Sequence, residues 1–377
     1  MRRLDRARRL ARRVAYQVAR DDRGAVVVLV GILLAAGVLT GMLAVVVDLG
    51  RLYAERRVVQ NSADAAALAV AQHCAKASAD PACASQSSAQ AVAVSLANGN
   101  APDGMTDVTE VCGGTSPLAG CQPSTIGWSN CLDSVGTTKF ARVRTRTMDG
   151  PGDYLMPAIF AGLTSPSGKP ELSAGACAQA AWGSASSAMV VLPFVLPACP
   201  SVAFGQPVVI EDFDPANPST SCTASDGTVL SSVTKGFAFA DLPSANMQCT
   251  VPVSIAVGDV LPVETSLTQL CGPNISTTLD PYIASGTSLV FPVVGSHGQT
   301  GQGQYSFAIL SFRSYVLYGY KLKNKQGGQV PPGGWSATAC GSSAQRSCLY
   351  GTFVQEVVTG GIGTGPNLGV QAVALIP

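Results

Sequence analysis

The chain has 377 residues, enough for one large or two ordinary domains, and 47% of them are apolar while only 12% are charged. Two histidines and the absence of any C-x-x-C pair argue against a zinc centre. The net charge of +1 hides an asymmetry: nine arginines and three aspartates before Ala25 leave +6, and the remaining 15 basic and 20 acidic residues carry −5.

Residues 1–23 form a basic tail in which Leu4, Ala11, Val14, Ala15 and Val18 recur at helical spacing. From Ala25 to Val47 follow 23 residues without a charge, about 35 Å of helix, which predicts one membrane span. Arginine gathers on the cytoplasmic side of spans, so the expected topology is single-pass with the N-terminus inside and the remainder extracytoplasmic. The basic tail is then explained by topology and anionic headgroups, and nucleic-acid binding is not expected. Gly37 and Gly41 have the small-xxx-small spacing through which two copies could pair, so a homo-oligomer through the span stays open.

Beyond the span, Leu49, Leu52, Arg56, Val59, Ala63, Ala66 and Val70 step by three and four, and neither Pro nor Gly occurs between Gly50 and Pro81. The spacing predicts a single helix from Ala25 to Ser78 whose outer part packs its apolar stripe on the rest of the protein or on a partner. Residues 79–183 then read as a small α+β region. "KFARVRTRT" alternates as a strand, "DYLMPAIFAGL" as a short helix, and "ELSAGACAQAAWG" as a strand placing Ala174, Ala176, Ala178 and Ala180 on one face. Residues 184–377 carry short apolar runs between Gly, Pro and Asn clusters, the pattern of a sandwich or barrel. The expected class is α+β: a long N-terminal transmembrane helix continuing outside (24–78), then a β-rich, disulfide-bonded extracytoplasmic region.

All twelve cysteines follow the apolar run, as an oxidising compartment would give. The near neighbours Cys74 with Cys83 and Cys340 with Cys348 are the expected pairs.

"DDRGAVVVLVGILLAAGVLTGMLAVVVDLGRLYAERRVVQNSADAAALAVA" resembles the N-terminal segment of TadG-like proteins of the Flp pilus assembly, or tight adherence, system. The residues carrying it are Arg23, Gly24, Asp48, Gly50, Arg51, Gln60, Asn61 and Asp64 with the alanines that follow. The resemblance implies a structural, non-catalytic envelope component working with other pilus-assembly proteins and needing no cofactor. Pilin-like relatives carry a glutamate five residues beyond the cleaved glycine; Leu29 stands there, which implies that the leader is retained. No Asp-x-Ser-x-Ser run is present, so the metal site of a von Willebrand A domain is not expected.

Two readings stay open: Asp48 and Arg51 as a helix-surface ion pair at the water interface, or Asp48 and Asp64, with Gln60 and Asn61, as a polar edge that docks another pilus-system helix. Glu211, Asp212 and Asp214 form an acidic turn that could take calcium but lacks EF-hand spacing. No nucleophile, base and orienting group fall together, so no enzyme is expected. The rival reading is a membrane-tethered adhesin whose β domain binds a ligand.

Overall fold

The computed structural model describes residues 24–35, 37–76, 80–122, 131, 136–148, 150, 156–157, 171–224, 226–240, 250, 252–264, 275–301, 304–322, 325–327 and 346–376. The basic tail, Arg23 and Cys340 lie outside the described residues. So does most of the expected helix "DYLMPAIFAGL", of which Met156–Pro157 form a short strand paired with Glu171–Leu172.

The apolar run does not form one unbroken helix. Residues 24–35 are helical, and a new α-helix, Val38–Ala75, starts after Gly37, which sits in the left-handed region at φ 71°, ψ 5°. Only a residue without a Cβ takes that conformation at little cost, and it turns the chain out of register with the preceding helix. The run is thereby divided into 12 helical residues, about 18 Å, and the first turns of the second helix. Among the described residues no helix is long and apolar enough to cross a membrane. The expected transmembrane helix and the unbroken rod from Ala25 are corrected accordingly. The chain is β-rich and disulfide-bonded, as expected.

The second helix is long, 38 residues and about 57 Å. Its C-terminal half is built into a two-layer unit. Val59, Ala63, Ala66, Ala67, Val70 and Ala71 are buried at three- and four-residue steps against a five-stranded sheet. That sheet runs in the order Thr106–Gly113, Phe140–Thr147, Gly175–Ser184, Val370–Ile376, Glu356–Val358, antiparallel except for its last pair. Ala141 and Val143, with Ala174, Ala176, Ala178 and Ala180, line the helix-facing side, so alanine meets alanine and the layers approach closely.

A second helix on this face, Gln86–Asn100, is capped by the Ser85 hydroxyl, which accepts from Ser88 N at 3.2 Å. Ala89, Ala93 and Ala97 recur every four residues and are fully buried. The same helix covers the sheet's first edge. Gln86 Nε2 donates to Val111 O at 2.6 Å and Gln90 Nε2 to Val108 O at 3.1 Å, while Thr106 N donates to Asn98 Oδ1 at 2.9 Å. Backbone groups of the edge strand are thus hydrogen-bonded within the chain.

The other unit is built on a long hairpin, Ser288–Gly301 and Gln304–Leu322. Phe194–Pro197 adds in parallel to the first arm, Ala238–Ala240 pairs with it, and Val260–Glu264 pairs both with Ala238–Ala240 and with the start of Gln304–Leu322. Hydrogen bonding therefore runs in a closed circuit of five strands. Cys348–Val354 and Pro207–Glu211 extend the sheet from the far half of Gln304–Leu322. Phe194 packs on Phe237, Phe239 and Phe291 with ring centroids 5.0–6.2 Å apart. The helix Ile275–Ser285 covers this core through the fully buried Leu279, with Tyr320 Oη donating to Asp280 Oδ1 at 3.2 Å. Gly236 has φ +85°, and a Cβ there would meet Asp212 O at 2.5 Å, so both conformation and space require glycine.

Candidate functional site

The motif residues lie along the N-terminal helices and do not form one edge. Gly24 is exposed, and so are Gly50, Arg51 and Asn61. Asp48 is 5% exposed. Gln60 and Asp64, four residues apart, are half-buried on the sheet side: Gln60 Nε2 donates to Asp64 Oδ1 at 2.9 Å and to the Cys177 carbonyl at 3.2 Å. Their polarity is spent on fastening the helix to the central strand Gly175–Ser184. Toward the other end, Met42, Val45, Val46, Leu49 and Tyr53 are all more than 45% exposed. The helix is thus absorbed by its own sheet from Val59 onward and presents apolar side chains before it.

At the C-terminal end of the long helix the chain is held by several bonds. Cys74 and Cys83 form a disulfide, and His73 Nδ1 lies 3.0 Å from Asp80 Oδ2. Asp80 Oδ1 accepts from Ala82 N at 2.9 Å and caps the one-turn helix Pro81–Cys83. Burial acts to raise the Asp80 carboxyl, but hydrogen bonds from His73 and Ala82, with the nearby charges of His73 and Lys76, outweigh it and hold the group below the ordinary carboxylate range. The amide of Gln371, on the last strand, donates to Ala75 O.

Three more disulfides follow: Cys112–Cys121, Cys131–Cys177 and Cys199–Cys222. Cys348 is also disulfide-bonded. Cys131–Cys177 ties the central strand to the chain preceding Phe140–Thr147 on the face turned away from the helices.

The acidic turn carries its own counter-ion. Arg346 Nη1 reaches Glu211 Oε2 at 2.8 Å and Arg346 Nη2 lies 3.8 Å from Asp214 Oδ2. Burial pushes the Asp212 carboxyl up, against hydrogen bonding from the Ser347 backbone. Among the described residues no group of three or more His, Cys, Asp or Glu side chains is arranged to hold a metal ion. His297 meets the Thr234 hydroxyl at 3.1 Å and packs edge-on against Phe213, a packing role.

Several polar residues that sequence reading passed over are buried parts of this framework. Arg142, 2% exposed, sits on the sheet face away from the helices. Arg313 donates to the carbonyls of Pro197 and Pro200 and stacks 4.2 Å from the Phe353 ring. Burial lowers its guanidinium to about 10. Strand alternation flagged the Arg142 position, but alternation alone cannot tell a covered second face from a wet one.

Residues 24–73 match the model of the TadE/G-like family of Flp pilus assembly. The N-terminal segment is TadE/G-like. No curated protein and no solved structure matches the chain. The TadE/G-like segment ends at His73, one residue before the cysteine that fastens the helix end, so it comprises both N-terminal helical stretches almost in full. The match supports a role in the Flp pilus-assembly system.

Proposed function

We propose that the protein is a non-catalytic structural component of Flp pilus assembly. Its TadE/G-like helix is the docking element, and its disulfide-bonded β-rich region is displayed outside the cytoplasm. The observation that carries the reading is the division of labour along one helix. From Val59 to Ala75 its apolar stripe is consumed by the protein's own sheet, whereas Met42, Val45, Val46, Leu49 and Tyr53 are exposed and adjoin the motif residues Asp48, Gly50 and Arg51. Other helices of the pilus system are the occupants of that surface. The four disulfides among the described residues, with Cys348 disulfide-bonded as well, support folding in an oxidising compartment.

The test is photo-crosslinking from position 53 in cells, with position 72, exposed on the sheet-bound half, as the comparison. The reading expects adducts with pilus-assembly proteins from 53 and none from 72, together with loss of fibres on gene deletion. Equal crosslinking from both positions, or normal fibres without the gene, would overturn it.

A further inference from the structure

A cavity of about 280 Å³ opens where the end of the long helix, the turn after Thr106–Gly113 and the start of the last strand meet. It joins segments far apart in sequence, and the Cys74–Cys83 disulfide forms part of its wall. Trp182 and Leu118 supply an apolar side, Thr115 and Ser116 supply hydroxyls, and the exposed Lys139 supplies the one charge among the described lining residues. Among the described residues no carboxylate lines it. Gln371, 5% exposed, lies on the same wall, and its Oε1 has no hydrogen-bond partner among the described residues. Gln371 thus brings a neutral amide with one unused acceptor to the cavity wall.

We propose that this cavity binds an acidic saccharide unit, a hexuronate. An aromatic ring beside several neutral hydroxyl and amide groups suits the alternating C–H and O–H faces of a pyranose. A single ammonium group at the mouth suits one carboxylate. The volume is large enough for one sugar ring. This activity lies beyond docking to pilus proteins and uses a different surface, since the exposed helix residues 42–53 do not line it.

The experiment is saturation-transfer NMR and calorimetry on the purified full chain with glucuronate, glucose and acetate as probes. Glucuronate binds in the millimolar range and at least fivefold more tightly than glucose, and acetate shows no binding. Lys139→Ala, on an exposed side chain, abolishes the preference for glucuronate over glucose without changing fibre assembly; Gln371→Leu weakens both sugars. Because Gln371→Leu also removes the bond to Ala75, Lys139→Ala carries the decision if that variant does not fold. No saturation transfer to either sugar, acetate binding equal to glucuronate, or an unchanged preference in Lys139→Ala would each overturn the proposal.

Discussion

The hydroxyl of Thr145 donates to the main-chain carbonyl of Val59 at 2.8 Å, a bond between the second strand of the first sheet and the middle of the long helix, 86 residues apart in sequence. Both groups are buried, so this bond fixes the height at which the helix lies across the sheet. Thr145→Val keeps the shape and removes the donor. Its expected cost is about 1 kcal/mol, read as a lower urea midpoint with an unchanged slope.

The alanine seam sets how closely the helix approaches. Ala63, Ala66 and Ala180 are fully buried between the two layers. Ala180→Leu inserts three carbons where no space exists, and the expected destabilisation is about 1–3 kcal/mol, seen as a lower thermal midpoint. An unchanged midpoint would mean that the layers are not in contact there.

Gln86 and Gln90 bond the carbonyls of the first sheet's edge strand. Replacing both with Ala leaves the helix propensity intact or better but strips the edge of those partners. The double variant is expected to speed amide exchange along Thr106–Gly113 and to increase concentration-dependent association, measured by hydrogen–deuterium exchange and light scattering.

Asp80 makes stability depend on acid in a defined direction. Its folded pKa lies below the ordinary value of about 3.9, so it contributes stability that is present above that pH and is lost as pH falls through the folded pKa. Asp80→Asn should therefore be less stable than the parent at pH 6 and converge with it in acid, as pH falls through the lowered folded pKa. Asp212 has the opposite sign: its folded pKa is raised, so ionised Asp212 opposes folding and Asp212→Asn should stabilise at neutral pH and converge in acid. Denaturant midpoints across pH read both differences.

Cys74 and Cys83 close a loop with a sequence separation of 9. On the chain-entropy account, replacing both with Ser should cost about 3 kcal/mol. The loss should fall on the helix end and on the cavity wall that the disulfide forms, so exchange should rise at 71–85 before it rises at 59–67. Uniform acceleration along the helix would count against that local role.

Much of the first layer was legible in the sequence because its two periods are local. The steps from Val59 to Val70 repeat every three or four residues, and Ala174 to Ala180 alternate, so each element announced which side is apolar. The near-neighbour pair Cys74 and Cys83 was equally plain from spacing. Arg142 and Gln371 were not, because a polar side chain on a strand is buried or exposed according to what another part of the chain lays over it.

The sequence by itself determined the alternations and the TadE/G-like segment, since these depend on residues within a few turns of one another. Only the tertiary structure decided three other things. Gly37 adopts a positive φ and divides an apolar run whose composition alone suggested one span, because hydropathy adds up residues and carries no dihedral angle. Val370–Ile376 returns across nearly two hundred residues to pair antiparallel with Gly175–Ser184, setting Val373 opposite Trp182. The wall around Lys139 and Gln371 exists only because that return brings the last strand to the end of the long helix, joining groups that no short-range pattern could associate.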